Sequence, residues 1–373
     1  AKLVSAMLAG TTISVEIDVL VDPSQSGPFS FTNVIYASSG LNYSANPNLT
    51  QYQIYENPSS SNFETQRLNL DGIATLGRTG GGATGWPFDE TQIPINGHIR
   101  IPVGSGPFPL VVFAHGNHSP LENSTPGYVY LCELLASYGI IAATIDVNFL
   151  NGGNSGENDG RAIIHLEHIK QFLEWNSQAR HPLRGKVDRS RIMIVGHSRG
   201  GEAVGHASLF NSLSEVQFDS TSPLVQLDGS QGLGPYGFDI RAVVAFAPTD
   251  GGYIPVSGPT EVKGNYLLVH GSRDNDVFDF QGYKTYDRSH AVDLVSPTQP
   301  ANGFKSLLWI HGANHAFFNR VWQQESFNTI SRPQQEQIAK AYISALSLAV
   351  LKDQSAHLEL LRDHAFGVNI GWL

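Results

Sequence analysis

A chain of 373 residues, 41% apolar and 15% charged, can bury the core of one large α/β domain or two medium ones and is not disordered. A formal net charge of −10 without any Lys/Arg cluster argues against nucleic acid as a partner, and no apolar run reaches membrane-spanning length. The single cysteine, Cys132, rules out an internal disulfide and a cysteine zinc site.

Taken in chain order, residues 1–95 read as strands, TTISVEIDVLV and FSFTNVIYASS, separated by turn-rich stretches such as NYSANPN and NPSSSN. They are expected to add antiparallel edge strands to the main sheet rather than to form a separate module. Over 96–373 the rhythm changes. HIRIP, LVVFAHG, GIIAATID, RIMIVGHS, RAVVAFAP, YLLVHGSRD and SLLWIHG read as short, continuously apolar strands. Helical patterns alternate with them over 126–138, 161–176, 199–213 and 333–352, with Asp159 as the N-cap of the second. Cys132, in YVYLCELLASYG, falls on the first of these helices as a buried structural thiol. This alternation predicts a mostly parallel sheet with helices on both faces, whose ligands bind at the carboxyl ends of the strands.

Chemistry-bearing residues stand at those ends. After RIMIV comes Gly196-His197-Ser198-Arg199-Gly200, a G-x-S-x-G match at a strand-to-helix turn. Such a turn lifts a serine hydroxyl above the sheet over a helix N-terminus, which favours developing negative charge. A serine nucleophile needs a base, and the base an orienting acid. His315 follows SLLWI and Asp274 follows YLLV; Asp276, in the same loop as Asp274, and Asp250, after VVAFAPT, are rival acids. His311 reads as a structural neighbour. For the oxyanion hole, the Arg199 amide supplies one donor and Asn117, in the His115-Gly116-Asn117-His118 loop, the other, with His115 propping that loop.

The ordered motifs HGN, GHSRG, HGSRD and HGANH over about 90–355 resemble the α/β-hydrolase superfamily, and GPFPLVVFAHG before GHSRGG is similar to its branch of platelet-activating-factor acetylhydrolases, chlorophyllases and cutinase-like polyester hydrolases. GHSRGG and APTDG (247–251) look most like chlorophyllase. AATIDVN with Arg161 opening a helix is similar to cutinase-like enzymes, which usually carry methionine and tryptophan where Arg199 and Thr249 stand here. The resemblance implies an α/β-hydrolase fold and a serine esterase. In chlorophyllases an aspartate near the position of Asp250 has been considered as the acid.

Other patterns are set aside. Gly80 to Gly85 match G-x-G-x-x-G without a following helix. His165 and His168 read as a solvated helix face, and 146–159 reads as an active-site rim loop, with calcium as the alternative. The long stretch 211–238 is either a partial lid or acyl-binding wall, carrying Phe218, Leu224, Val225, Leu233, Tyr236 and Phe238, or a surface excursion packed on itself. Tyr253, Ile254, Phe278, Phe280, Phe317 and Phe318 are candidates to line an apolar cleft.

The expected function is a serine carboxylic-ester hydrolase working through an acyl-enzyme on a small-molecule or lipid-like ester, with no metal or organic cofactor required. An amidase or peptidase with the same triad, a polyester hydrolase, a perhydrolytic or haloperoxidase-like activity, and a binding protein on a hydrolase scaffold remain open. The Gly/Asn/Ser-rich, lysine-poor composition points to a secreted or periplasmic protein, with a cytoplasmic one as the alternative. Nothing in the pattern indicates an oligomeric state.

Overall fold

The computed structural model describes residues 92–152, 157–217, 220, 224–227, 235–290, 304–323 and 326–362, together with short strands at 6–8, 11–13, 34–35 and 66–69. Its centre is an eight-stranded sheet of β1 (Val34–Ile35), β2 (Gly97–Arg100), β3 (Phe108–Ala114), β4 (Ile141–Ile145), β5 (Val187–His197), β6 (Ile240–Phe246), β7 (Asn265–Gly271) and β8 (Lys305–Ile310). The spatial order is β1-β8-β7-β6-β5-β3-β4-β2. Every neighbouring pair is parallel except β2 with β4, where Gly97 faces Ile145 and Arg100 faces Ala142. This is the mostly parallel sheet expected from the strand–helix alternation, in the α/β-hydrolase arrangement that the resemblance implied.

The helices are α1 (Val129–Ser137), α2 (Asn158–Ser177), α3 (Arg199–Phe210), α4 (Gly282–Arg288), α5 (Arg332–Leu351) and α6 (Glu359–Arg362). The continuous apolar runs are explained by what lies on either side of the sheet. Ile192, Ile194, Leu110, Val112 and Val243 pack towards α2 and α3, in one core with Ile163, Leu166 and Val204. Their alternate neighbours Met193, Val195, Val111, Phe113 and Val244 point the other way, into a second core with Leu131 and Leu135 of α1 and Tyr342 and Leu346 of α5. A strand buried on both faces has no polar face to show, so the period of two is invisible in its composition.

Several local expectations change. Helix α2 begins three residues before position 161, with Glu157 at its N-cap, and Asp159 instead bonds the Gly160 amide through Oδ1 at 2.7 Å. His165 and His168 are fully buried, not solvated: α2 packs against both the sheet and α3, and His168 Nδ1 and Nε2 stand 2.8 and 3.3 Å from the Ile164 and Asn96 carbonyl oxygens, the neutral ring donating to one of them. Burial pushes their pKa values down to about 3 and about 4. Cys132 is free and buried, and desolvation raises its pKa, so it is no thiolate.

Within 1–95, Val34–Ile35 lies against Trp309–Ile310 of β8 in parallel register. Ala6–Leu8 pairs with Thr11–Ile13, and Gln66–Asn69 with Gln92–Ile95, each as an antiparallel two-stranded ribbon. The antiparallel edge of the main sheet is β2, outside that stretch. The 80–85 glycine stretch lies outside the described residues. Among the described residues no helix is long and apolar enough to cross a membrane.

Candidate active site

Strand β5 ends in the turn that carries Ser198. This L-residue sits at φ 58°, ψ −126°, a sparsely populated conformation held by its surroundings. The Ser198 amide donates to the Phe246 carbonyl at 2.9 Å, locking the turn onto the end of β6. Its carbonyl accepts the Gly201 and Glu202 amides at 2.8 and 3.1 Å, starting α3. The hydroxyl makes no capping bond to its own helix, so it is not consumed by the role that serine most often fills at such a position. The glycines are required by close approach. A Cβ on Gly196 would stand 1.9 Å from the Gly200 carbonyl oxygen, and one on Gly116 would stand 2.4 Å from Ser198 Cβ and 3.0 Å from its Oγ. The loop after β3 thus passes directly over the serine.

That loop is braced from the side. His115 is fully buried; its Nε2 accepts the Val147 amide at 3.1 Å, and its Nδ1 stands 2.8 Å from the Gly116 carbonyl oxygen. With Nε2 accepting, Nδ1 is the protonated nitrogen. Asn117 Oδ1 accepts the Gly152 amide at 3.0 Å. The loops after β3 and β4 are therefore stitched together above the nucleophile.

On the far side of β5, His315 and Asp274 meet. His315 Nδ1 lies 2.8 Å from Asp274 Oδ2, with both side chains buried. The other carboxylate oxygen accepts the amides of Asp276 and Val277 at 3.0 and 2.7 Å. Burial by itself would raise the Asp274 pKa. The hydrogen bond and charge of His315, then His270 and the Val277 amide, outweigh it and hold the carboxyl below its usual range. His270 stands 3.7 Å from Asp274, and burial pushes its pKa down to about 4. His197, the residue before the nucleophile, packs its ring 4.7 Å from the His315 ring, while burial, then the His315 charge, hold it neutral. Its Nδ1 is 2.8 Å from the Tyr128 hydroxyl.

The rival acids have other places. Asp250 bonds the Thr285 hydroxyl at 2.7 Å and is ion-paired with Arg288 on α4. Asp276 is 63% exposed and reaches His315 from the opposite side, Oδ2 to Nε2 at 3.5 Å. His311, just past β8, is exposed.

Some partners carried no signal in the sequence. Trp322 stacks on His315 at 6.0 Å and on His118 at 5.3 Å, with its indole nitrogen donating to Ser124 at 2.8 Å. Glu202, one turn along α3 from Ser198, accepts the amides of Gly251 and Tyr253 at 3.1 and 3.0 Å and the Thr249 hydroxyl at 2.6 Å, fixing the loop after β6. The i, i+4 spacing of Glu202 and His206, 3.3 Å apart, was the available clue. Arg199 donates to the buried Glu157 at 2.8 Å; Glu157 also holds Arg161, which reaches Asn151 at 2.8 Å. The oxygen-rich stretch 146–159 thus spends its described acidic groups on arginines and backbone, and among the described residues no group of three or more His, Cys, Asp or Glu is placed to hold a metal. Residues 153–156 lie outside the described ones.

Of the apolar cleft candidates, Phe317, Phe318 and Tyr253 are buried, while Ile254 (55%) and Phe278 (78%) are exposed. Within 211–238, Val216, Leu227, Tyr236 and Phe238 join the core beside α2 and α3, and Glu215–Val216 pairs with Val225–Gln226. Phe218 and Leu233 lie outside the described residues. Leu224 is exposed (56%).

The chlorophyllase family matches residues 83–249, less than half of the chain but including Ser198 and the loop after β3. The esterase EstD of Thermotoga maritima is 33% identical over 116 residues, 30% of this chain and 27% of EstD. The matched stretch thus spans about a quarter of that relative's length. The fold and its strand order are those of an α/β-hydrolase, and over the matched stretches the chain is similar to esterase-like proteins of that fold.

Proposed function

We propose that the protein is a serine carboxylic-ester hydrolase in which Ser198 is the nucleophile, His315 the general base and acid, and Asp274 the residue that orients and electrostatically supports His315. The observation that carries this reading is a serine at φ 58° with an uncapped hydroxyl, on the same sheet edge as the 2.8 Å Asp274–His315 hydrogen bond. His315 Nε2 takes the Ser198 proton as Oγ attacks the ester carbonyl, and the amides of Asn117 and Arg199 hold the oxyanion. Collapse of the tetrahedral intermediate expels the alcohol, which takes the proton from Nε2. Water then deacylates the enzyme by the same route.

Electrostatics favour this assignment of roles. Asp274 stays ionised beside the imidazolium that forms, whereas His197 and His270 are held neutral by burial and do not compete with it. Hydrolysis of p-nitrophenyl esters of increasing acyl length, with Ser198→Ala alongside, tests the reading. Turnover that disappears in the variant supports it, and the preferred chain length sizes the acyl pocket. Turnover that survives in the variant contradicts it.

A further inference from the structure

We propose that Asp276 makes the leaving-group side of this site selective, favouring esters of cationic and neutral alcohols over esters of anionic ones. The proposal rests on the ester-hydrolase reading above and deepens it. Its basis is geometric. His315 is bracketed by two carboxylates, Asp274 at Nδ1 and Asp276 at Nε2, 2.8 and 3.5 Å away. The two differ in kind. Asp274 is buried and accepts two backbone amides in addition to the imidazole; Asp276 is 63% exposed.

Nε2 is the atom that must approach the leaving oxygen. When the tetrahedral intermediate collapses, the C–O bond breaks, its electron pair leaves with the alcohol oxygen, and that oxygen takes the Nε2 proton while the carbonyl re-forms. The alcohol is therefore delivered to the imidazole edge that Asp276 borders. Any charge carried a few bonds from the leaving oxygen meets Asp276 first.

Of the nearby cations, Arg288 is paired with Asp250 and Arg320 with Glu336, while Arg199 shares Glu157 with Arg161. The exposed Arg273 stands in the same loop, so the field there is the balance of its charge with those of Asp276 and Asp279. The same loop continues into the exposed Phe278 and Asp279, an aromatic face followed by a second acid, a combination suited to an organic cation. Because Asp276 faces water, its influence is screened: a unit charge at about 7 Å in a high-dielectric setting changes a rate by about threefold, so cationic and anionic leaving groups differ by about tenfold.

The test uses three esters of similar size, all with the acyl chain that the p-nitrophenyl series shows to be preferred, whose alcohols are choline, 3,3-dimethylbutanol and a hydroxycarboxylate. The kcat/KM values are compared for the intact chain, Asp276→Asn and Asp276→Glu. The expected result is a cationic-to-anionic ratio of about tenfold in the native chain, collapse of that ratio in Asp276→Asn, its retention in Asp276→Glu, and compression at about 0.5 M salt. Turnover of the neutral ester with the same charge ratio in the native chain and Asp276→Asn overturns the proposal and leaves the hydrolase reading standing. Absence of turnover on all three and on the whole p-nitrophenyl series overturns both.

Discussion

Two loops, one after β6 and one after β7, each place an aspartate just beyond a strand end, and the two aspartates have different fates. Asp250, after Phe246, turns to Arg288 and Thr285 and pins α4 to the sheet. Asp274, after Gly271, turns to His315 and is braced by the amides of its own loop. The residue type and the position relative to the strand are the same. What separates an ion-pair anchor from a candidate catalytic acid is the partner that the rest of the fold brings to it, and neither partner is adjacent in sequence.

Breaking each side of this comparison has graded consequences. The largest effect falls on the chemistry itself: Ser198→Ala is expected to lower kcat for a short p-nitrophenyl ester by on the order of 10⁴-fold or more, with the fold intact by circular dichroism. Asp274→Asn leaves the contact sterically unchanged but removes the charge and favours the wrong imidazole tautomer, so kcat falls by about 10³- to 10⁴-fold. Asp250→Asn removes an equally conspicuous aspartate and is expected to keep kcat within about threefold. It lowers stability instead, by about 1–3 kcal/mol, because Arg288 loses its partner, and a thermal melt reads the shift. Equal catalytic losses in the two Asn variants would dissolve the distinction between the loops.

A fourth expectation concerns the buried histidines. His165, His168 and His270 have pKa values near 3, 4 and 4 in the folded chain, below the usual value near 6.5. Between about pH 6.5 and 4 the unfolded chain therefore binds protons that the folded chain refuses. Stability is full above pH 6.5 and falls as the pH drops through that window. The depressed Asp274 and Glu202 contribute in the same direction at lower pH: their stabilisation is present above the unfolded carboxylate range near 4 and is lost as pH falls through their folded values. Melting temperatures measured from pH 7.5 to 4.5 should decline, and His168→Gln should flatten the slope. The smallest-scale test addresses the first 95 residues: if Val34–Ile35 is part of the β8 edge, deleting 1–95 yields insoluble protein, whereas a separable module leaves a soluble, active hydrolase.

The sheet was legible because its strands are short, apolar and bounded by glycine-rich turns, and because helix-period segments lie between them. The nucleophile turn was legible for a stricter reason: the close approaches at Gly196 and Gly116 leave room for no other residue, so packing is written into composition there. The burial of His165 and His168 was not legible, since an i, i+3 pair of polar residues looks the same on a wet face as on one pressed against the sheet and α3. The Arg199–Glu157 ion pair and the Trp322–Ser124 hydrogen bond likewise depend on loops meeting across 42 and 198 residues of sequence, which local pattern does not encode. The choice between Asp250 and Asp274 was open for the same reason.

The most direct test of the central claim is covalent trapping of the nucleophile. The native chain, His315→Ala and Asp250→Asn are treated with a fluorophosphonate ester, and the adduct is mapped by peptide mass spectrometry. The account predicts a single modified serine, Ser198, labelled rapidly in the native chain and in Asp250→Asn and hardly at all in His315→Ala. Labelling at a different serine, or equal labelling of Ser198 without His315, would contradict it.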